Sequence, residues 1–539
     1  MQSKNPAWLE TAVFYEIYPQ SFYDSNSDGI GDLPGIIQKL DYLVSLGTNA
    51  LWLNPCFVSP FGDAGYDVAD YYRVAPRYGT NDDLRRLFEA AHQRGIRVLL
   101  DLVAGHTSIE NAWFKESCKA DKNQYSDWFI WTDSVWTPPL PELQNVRGFA
   151  ERDGAYIVNF FYMQPALNYG FANPDPRFPW QQPVDAPGPQ AVRQEMKNIM
   201  KFWLDMGADG FRVDMAASLV KLDPGHRMTA QFWQDVRQWL DQQYPQAALV
   251  SEWSNPSEAI PAGFHMDFTL HFGMTGYTGL FRKPFRSSFQ GGDRYGWSYF
   301  DVSGHGNIRQ FLDEYLPHYQ KTKDQGYICI PSGNHDISPR LANGRSVQDL
   351  KVAFLFLLTM PGVPYIYYGD EIGMRFVEGL PSKEGSYYRT GSRTPMQWDG
   401  APNAGFSTVP AEALYLPIDS LPGRPDVASQ QSDPASLLNT VRKLIELRKA
   451  HPALCARGLF EPVFAEAGHS LFVYRRTQGS EDILVALNPA RDPVEVRLPA
   501  GLINKLPQVL YGHPGAFTQE GNDWILRLPG VSGGVYQLS

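Results

Sequence analysis

Short apolar runs recur along the chain, and most are followed by a stretch whose apolar residues repeat with a helical period. The runs are Val13–Tyr18, Ala50–Leu53, Arg97–Val103, Gly210–Asp214, Ala248–Glu252, His265–Phe268, Tyr327–Pro331 and Tyr365–Tyr368. Most are close to continuously hydrophobic, as expected of strands buried on both faces. The helical stretches are Leu33–Leu46, Asn81–Arg94, Ala191–Met206, Ala230–Gln243, a short one near Ser257, Asn307–Thr322 and Ser346–Thr359, with a last one from Ala435 to Lys449. Eight strand-then-helix units predict an α/β fold, a (β/α)8 TIM barrel. Functional residues of such a barrel lie at the C-terminal ends of its strands.

Two stretches break the alternation. From His106 to Pro189 the chain is rich in Trp, Pro and Asn and far longer than an ordinary βα loop. It predicts a subdomain over residues 107–189, inserted after the third strand and covering the barrel mouth. The barrel itself is expected in residues 1–106 and 190–452. After Pro452 short alternating runs take over: Leu471–Arg475, Ile483–Asn488, Val494–Leu498 and Trp524–Leu528. They predict an antiparallel β-sandwich over 453–539, a little under the roughly 100 residues of a typical one. Val352–Tyr368 is the most apolar stretch, but Pro361, Gly362 and Pro364 interrupt it. It reads as a buried helix running into a strand rather than a membrane span. The polar Met1–Pro6 and the strand close behind it leave no room for a secretory leader.

Composition narrows the partners. The net charge is −11 and no Lys/Arg block is present, which argues against nucleic acid and anionic membrane and for a neutral ligand. Aromatic residues make up 14% of the chain. Large cores consume aromatics, and the flat faces of sugars also stack on them. Cys56, Cys118, Cys329 and Cys455 are scattered without a CxxC spacing. That argues against a disulfide framework or a structural zinc site and suits a reducing, cytoplasmic location. Nothing in the pattern bears on oligomeric state.

The candidate chemistry sits where the apolar runs stop. Residues 210–214 read Gly-Phe-Arg-Val-Asp, Glu252 ends the fifth run, and Gly-Asn-His-Asp at 333–336 follows the seventh. Arg212 and Asp214 are two apart on a strand and share a face. An Arg-x-Asp pair alone is usually a structural ion pair. Several carboxylates at neighbouring strand ends of one barrel are a different matter. Cleaving a glycosidic bond takes two carboxyl groups, one to protonate the leaving oxygen and one to attack the anomeric carbon or activate water. A third stabilises the positively charged sugar, and an arginine keeps a nucleophilic carboxylate ionised. A second cluster, Asp24-Ser-Asn26-Ser-Asp28-Gly-Ile30-Gly-Asp32, sets oxygen ligands at alternate positions with glycine for the turn. That spacing suits a hard divalent cation, though it is no EF-hand, since Gly35 stands where the closing Glu would be. The alternative is an Asx-rich turn without metal.

Four segments, in this order and on the right strands, resemble the α-amylase superfamily, glycoside hydrolase family 13: Asp101-Leu-Val-Ala-Gly-His106, Gly210-Phe-Arg-Val-Asp214, the segment around Glu252, and Asn334-His-Asp336. The resemblance implies a retaining mechanism. Asp214 would be the nucleophile, Glu252 the general acid/base and Asp336 the transition-state stabiliser. Arg212 would orient Asp214, and His106 and His335 would bind sugar hydroxyls. Other features resemble the α-glucosidase and oligosaccharide-active branch. In Gly65-Tyr66-Asp67, Tyr66 would stack under the terminal glucose and Asp67 would hold its outer hydroxyls. Arg393, in Ser-Arg-Thr-Pro-Met-Gln-Trp-Asp, would pair with Asp67 and close the non-reducing end, forcing exo-action. The branch also implies a structural Ca²⁺ (or Mg²⁺) held by Asp24, Asn26, Asp28, the Ile30 carbonyl and Asp32.

The chain departs from the family at four places. Gly105 stands where Asn is usual and Ala166 where Asp is common, which argues against a calcium between barrel and insert. Met215 follows the expected nucleophile at a position tied to linkage preference, and Trp253 puts a large aromatic beside Glu252, where it would shape the acceptor site. The expected activity is an exo-acting α-glucosidase on short α-linked gluco-oligosaccharides. A transglucosylase or isomerase, trehalose-synthase-like or sucrose-active, would use the same intermediate. A non-catalytic relative would lack the carboxylates and carry a membrane span.

Overall fold

The computed structural model describes residues 5–136, 139–282, 297–385 and 388–538. Eight parallel strands close into a barrel in chain order: β1 (Phe14–Ile17), β2 (Ala50–Leu53), β3 (Arg97–Val103), β4 (Gly210–Asp214), β5 (Ala248–Ser251), β6 (Met266–Phe268), β7 (Tyr327–Pro331) and β8 (Val363–Tyr367), with β8 pairing back onto β1. Each expected strand is present within two residues of its expected ends. The expected first helix is two, Leu33–Gln38 and Leu40–Leu46, separated at Lys39. A helix that periodicity does not announce, Thr275–Phe281, follows β6.

Strand alternation explains why the barrel is apolar below and charged above. Phe14, Trp52, Leu99, Val250, Phe268 and Tyr365 fill its interior, and the Phe14 and Tyr365 rings stack 4.3 Å apart. One inward step further along the same strands come Glu16, Asn54, Asp101 and Glu252, while β4 turns Gly210, Arg212 and Asp214 inward in succession. The β3–β4 register sets Asp101 opposite Arg212. Gly210 cannot be replaced cheaply: its φ is +139°, and a Cβ there would meet the Ala248 carbonyl at 1.9 Å.

The insert carries a short helix, Ala112–Ser117, and a hairpin, Asn145–Arg147 with Ala155–Ile157. Rings of Phe114, Trp131, Phe149 and Tyr156 hold it together. The helix returning to the barrel begins at Pro187, slightly ahead of the expected boundary. The C-terminal region is a sandwich of a five-stranded and a three-stranded sheet. Its strands are β9 (Leu459–Ala465), β10 (Phe472–Gln478), β11 (Glu481–Asn488), β12 (Val494–Leu498), β13 (Gln508–Gly512), β14 (Ala516–Glu520), β15 (Asp523–Leu528) and β16 (Ser532–Gln537), ordered β9-β10-β11-β16-β13 and β12-β15-β14. Helix Val347–Thr359, opened by a Ser346/Asp349 capping box, is apolar and buried through most of its length. It packs under this sandwich, which is why its residues lack the alternation of a surface helix.

Candidate active site

Arg212 organises the barrel mouth. It is 2% exposed. Its Nη1 donates to Asp101 Oδ1 at 2.8 Å and to Asp214 Oδ1 at 3.0 Å, and its Nη2 meets Glu252 Oε1 at 2.7 Å. The other Asp101 oxygen accepts from Trp52 Nε1 at 3.0 Å and the Tyr66 hydroxyl at 2.9 Å. One guanidinium thus fixes three carboxylates from β3, β4 and the end of β5. Burial and the neighbouring Glu252 charge push the Asp214 carboxyl well above the usual range, with Arg212 pulling the other way. Met215 lies in the left-handed region, φ +43°, and its N–H donates to Glu252 Oε2 at 2.9 Å. Backbone strain of this kind costs about 1–3 kcal/mol, and here it holds the second oxygen of Glu252.

The opposite wall is cationic around Asp336. His335 Nδ1 bonds Glu16 Oε1 at 2.8 Å, and its Nε2 lies 3.3 Å from Asp336 Oδ2. Burial alone would lower this imidazole, but Asp336 and Glu16 raise it to about 9, so it is an imidazolium at neutral pH. Arg389 and Arg393 both reach Asp336 Oδ1, Arg393 at 3.0 Å. Burial would raise Asp336, yet His335 and Arg389 hold it well below the carboxylate range. The Tyr66 ring stacks on His335 at 5.3 Å and 14°, forming one side of the site. His106 is buried, and burial lowers it to about 3, so it is neutral. His106 Nε2 makes no hydrogen bond and is free for a sugar hydroxyl, whereas His335 Nε2 lies in ion-pair contact with Asp336.

The closing ion pair differs from the expected one. Asp67 is fully buried and binds its own loop: it accepts from Ser59 Oγ at 2.8 Å, Gly62 N at 2.9 Å and Asp63 N at 3.1 Å. It does not pair with Arg393. Asp63 faces the site instead, with Arg389 Nη2 3.4 Å from its Oδ1 and Gln164 Nε2 donating to its Oδ2 at 2.8 Å. Both partners lie four residues N-terminal to the expected ones. Glu384, another residue the sequence did not flag, accepts from Arg77 at 2.9 Å and from the Tyr415 hydroxyl at 2.8 Å. It also takes the Tyr18 hydroxyl, and so anchors the loop that carries Arg389. Trp253 is 7% exposed, packs on His226 and Phe264, and donates to Glu258 at 3.3 Å.

With this geometry in hand, the sequence comparison is decisive: the model of the α-amylase catalytic domain matches residues 16–457. The chain belongs to the α-amylase family, glycoside hydrolase family 13. An oligo-1,6-glucosidase of Parageobacillus thermoglucosidasius is 32% identical over 93% of this chain and 94% of its own length. A trehalose synthase/amylase of Mycobacterium tuberculosis is also 32% identical, over 99% of this chain and 91% of its own. Among solved structures, an isomaltulose synthase mutant from Erwinia rhapontici NX5 in complex with D-glucose superposes with a TM-score of 0.79. It is 27% identical over 99% of each chain. These relatives include both glucosidases and transglucosylases, and the chain is an enzyme of this group.

Two features of the family meet a local difference here. In the corner formed by Gly105, Ala166 and the start of the insert stands an ammonium. Lys221 Nζ donates to Asn159 Oδ1 and to the Ser218 carbonyl, both at 2.7 Å, and Asn159 Nδ2 donates to the Gly105 carbonyl at 2.8 Å. Burial lowers Lys221 to about 8. A Cβ on residue 105 would lie 2.6 Å from Asn159 Nδ2, so the glycine makes room for this arrangement. In the 24–32 loop, Asp24 accepts from the amides of Asn26, Ser27, Asp28 and Gly29 and from Ser407. Asp28 accepts from the Ile30 amide and Asn26 Nδ2, and Asp32 caps helix Leu33–Gln38 through Gly35 N. All five expected ligand positions share one loop. The side-chain oxygens of Asp24, Asn26, Asp28 and Asp32 accept from N–H and hydroxyl groups, and among the described residues no group of three or more acidic, His or Cys side chains gathers at metal-binding distance.

Proposed function

We propose that the protein is a retaining, exo-acting α-glucosidase on short α-linked gluco-oligosaccharides. Asp214 would attack the anomeric carbon, Glu252 would protonate the glycosidic oxygen and later take a proton from the incoming water, and Asp336 would balance the charge on the sugar ring. The observation that carries the reading is the shared Arg212 fork. A single guanidinium touching both Asp214 and Glu252 supports the short separation of retaining enzymes, roughly 5–5.5 Å, over the 6.5–9.5 Å of inverting ones. Exo-action rests on Asp63 and Arg389, an ion pair placed to stop a chain from extending past the terminal glucose. Tyr66 supplies the stacking face, and His106 and His335 the hydroxyl donors.

Hydrolysis and transfer share the glycosyl-enzyme, and the trehalose synthase and isomaltulose synthase relatives favour the second reading, transfer to a sugar. Product analysis on maltose, isomaltose, sucrose and maltotriose separates them. Glucose alone from maltose and isomaltose, glucose with fructose from sucrose, and glucose together with maltose as first products from maltotriose are the expected results. Disaccharides that are neither the substrate nor its trimmed remainder would replace hydrolysis by transfer, and longer chains cut to internal fragments without free glucose would sink exo-action. The divalent cation in the 24–32 loop is part of the same proposal. Asp24 and Asp32 would have to exchange amide donors for the ion, so its test is structural: Ca²⁺ should raise Tm above an EDTA-treated sample, and Asp28→Ala should abolish the difference. The free, scattered cysteines support a reducing, cytoplasmic setting. Among the described residues no helix is long and apolar enough to cross a membrane.

A further inference from the structure

Glu252 stands one residue beyond the end of β5, which closes at Ser251. The ladder with β4 ends there too, in a bond from the Glu252 N–H to the Val213 carbonyl at 3.0 Å. The turn that follows is held by a different residue, Asp267 on β6, whose register partner on β5 is Ser251. Met266 and Phe268, on either side of it, fill the barrel, so Asp267 points out of the barrel, away from the face that carries Glu252. It is wholly buried. Its Oδ1 accepts from Ser251 Oγ at 2.6 Å, Trp253 N at 3.2 Å and Ser254 N at 3.3 Å, and its Oδ2 accepts from Asn255 N at 2.9 Å. Four donors from residues 251 to 255 close on one carboxylate, and three of them are consecutive amides. Ser254 takes φ +57°, a conformation in which neighbouring N–H groups converge on an anion. Its Oγ in turn accepts from Leu270 N at 3.0 Å, so the turn leaving β5 is built on β6.

A general acid works only with its oxygen within hydrogen-bond reach of the leaving oxygen, and a displacement of about 1 Å is enough to cost roughly 10²-fold. Arg212 and the Met215 amide fix the head of Glu252. The backbone beneath that head needs its own support, and Asp267 supplies it by bonding the chain on both sides of Glu252. An asparagine could not repeat the arrangement. Its oxygen could keep the three donors at Oδ1, but its NH2 would then face the Asn255 amide, donor against donor. We propose that Asp267 is a positioning residue for the acid/base, gathering the amides of 253–255 so that Glu252 delivers its proton from the productive place. This role rests on the reading of Glu252 as the acid/base. In that step the Glu252 O–H bond breaks, the proton passes to the glycosidic oxygen, and that oxygen departs with the electron pair of its bond to the anomeric carbon. Asp267 neither gains nor loses a proton and does not touch the sugar.

The test varies the leaving group. Maltose expels a sugar hydroxyl, which must be protonated, whereas α-D-glucosyl fluoride expels fluoride, which departs without acid help. On each substrate kcat/KM reports the bond-breaking half of the reaction. Asp267→Asn should lower kcat/KM about 10²-fold on maltose and less than about fivefold on the fluoride. Ser251→Ala is the milder change, removing one bond and keeping the three amides, and should show the same bias at about fivefold on maltose. Glu252→Gln is the reference, with a loss of about 10²–10⁴-fold on maltose and little on the fluoride. Equal losses on both substrates in Glu252→Gln would reject the acid/base reading itself, and the role of Asp267 with it. A selective Glu252→Gln beside equal losses, or none, in Asp267→Asn would keep that reading and overturn the role of Asp267. Should Asp267→Asn not fold, the same outcome in Ser251→Ala overturns it.

Discussion

At the top of the barrel Arg212 meets three carboxylates, whereas at the floor Arg448 and Arg476 meet carbonyls. All three are buried to within 2% of full enclosure, so the difference lies in the partners and not in exposure. Carboxylates titrate and can lose their bond to the guanidinium as charge moves, which a reacting site requires. Carbonyls cannot, so a guanidinium among them makes a rigid joint between helix end and sandwich. The mouth is built to change its charge, and the floor to keep its own.

Three predictions press on this contrast. The largest effect belongs to Asp214→Asn. Activity on maltose should fall by at least about 10⁴-fold, as for loss of a covalent nucleophile, while the fold persists. Asp214 is raised in the folded state, so above its folded pKa the ionised form costs stability. The amide should therefore leave Tm at neutral pH unchanged or higher. Residual activity above about one part in a hundred, measured on protein free of wild type, would mean the nucleophile lies elsewhere.

Next comes a matched pair, Arg212→Gln and Arg448→Gln. Removing Arg212 leaves Asp101, Asp214 and Glu252 facing one another, and stripping a buried charge of its partner costs roughly 3–5 kcal/mol. Urea unfolding should show that loss, and kcat should fall about 10³-fold with the acid limb of the pH–rate profile moving up. Arg448→Gln should cost stability on the same scale, since its carbonyls lose their donors, with kcat per folded molecule intact. A catalytic defect in the second variant equal to the first would erase the distinction between the two ends.

The mouth was more legible in the sequence than its closure. Asp101, Arg212, Asp214 and Glu252 lie on or directly after strands, where a period of two decides which side chains turn inward, so their common site follows from the register. Asp63 and Arg389 lie in loops, where no period applies. Asp63-Ala-Gly-Tyr-Asp67 and Arg389-Thr-Gly-Ser-Arg393 each offer two like residues four apart, and only the path of the loop chooses between them. The hydrogen bonds of Asp67 to Gly62 N and Asp63 N curl that loop, turning Asp67 inward to it and Asp63 toward the site. Glu384 gave no signal at all, because its partners Tyr18, Arg77 and Tyr415 come from three distant segments. In the sandwich, β9, β13, β14 and β16 went unseen: β13 and β14 have few buried residues, and β16 opens with Ser-Gly-Gly. The floor arginines carry no motif, and their carbonyl partners come from separate segments of the chain.

The smallest effect is one of pH. His335 is raised from 6.5 to about 9 by Asp336 and Glu16 against the pull of burial. A cation whose folded pKa is raised contributes stability that is complete below its unfolded value and disappears as pH climbs through the folded one. Wild-type unfolding free energy should therefore decline between about pH 6.5 and 9 by roughly 3 kcal/mol. Asp336 adds the mirror case: held below its ordinary range, it contributes above about pH 4 and loses that as pH falls. Asp336→Asn removes the strongest charge raising His335, so the alkaline decline should shrink and begin at lower pH, while Glu16 preserves part of it. An Asp336→Asn profile that overlays wild type from pH 6 to 10 would show that His335 is not an imidazolium, and the mouth would then be held by neutral hydrogen bonds like the floor.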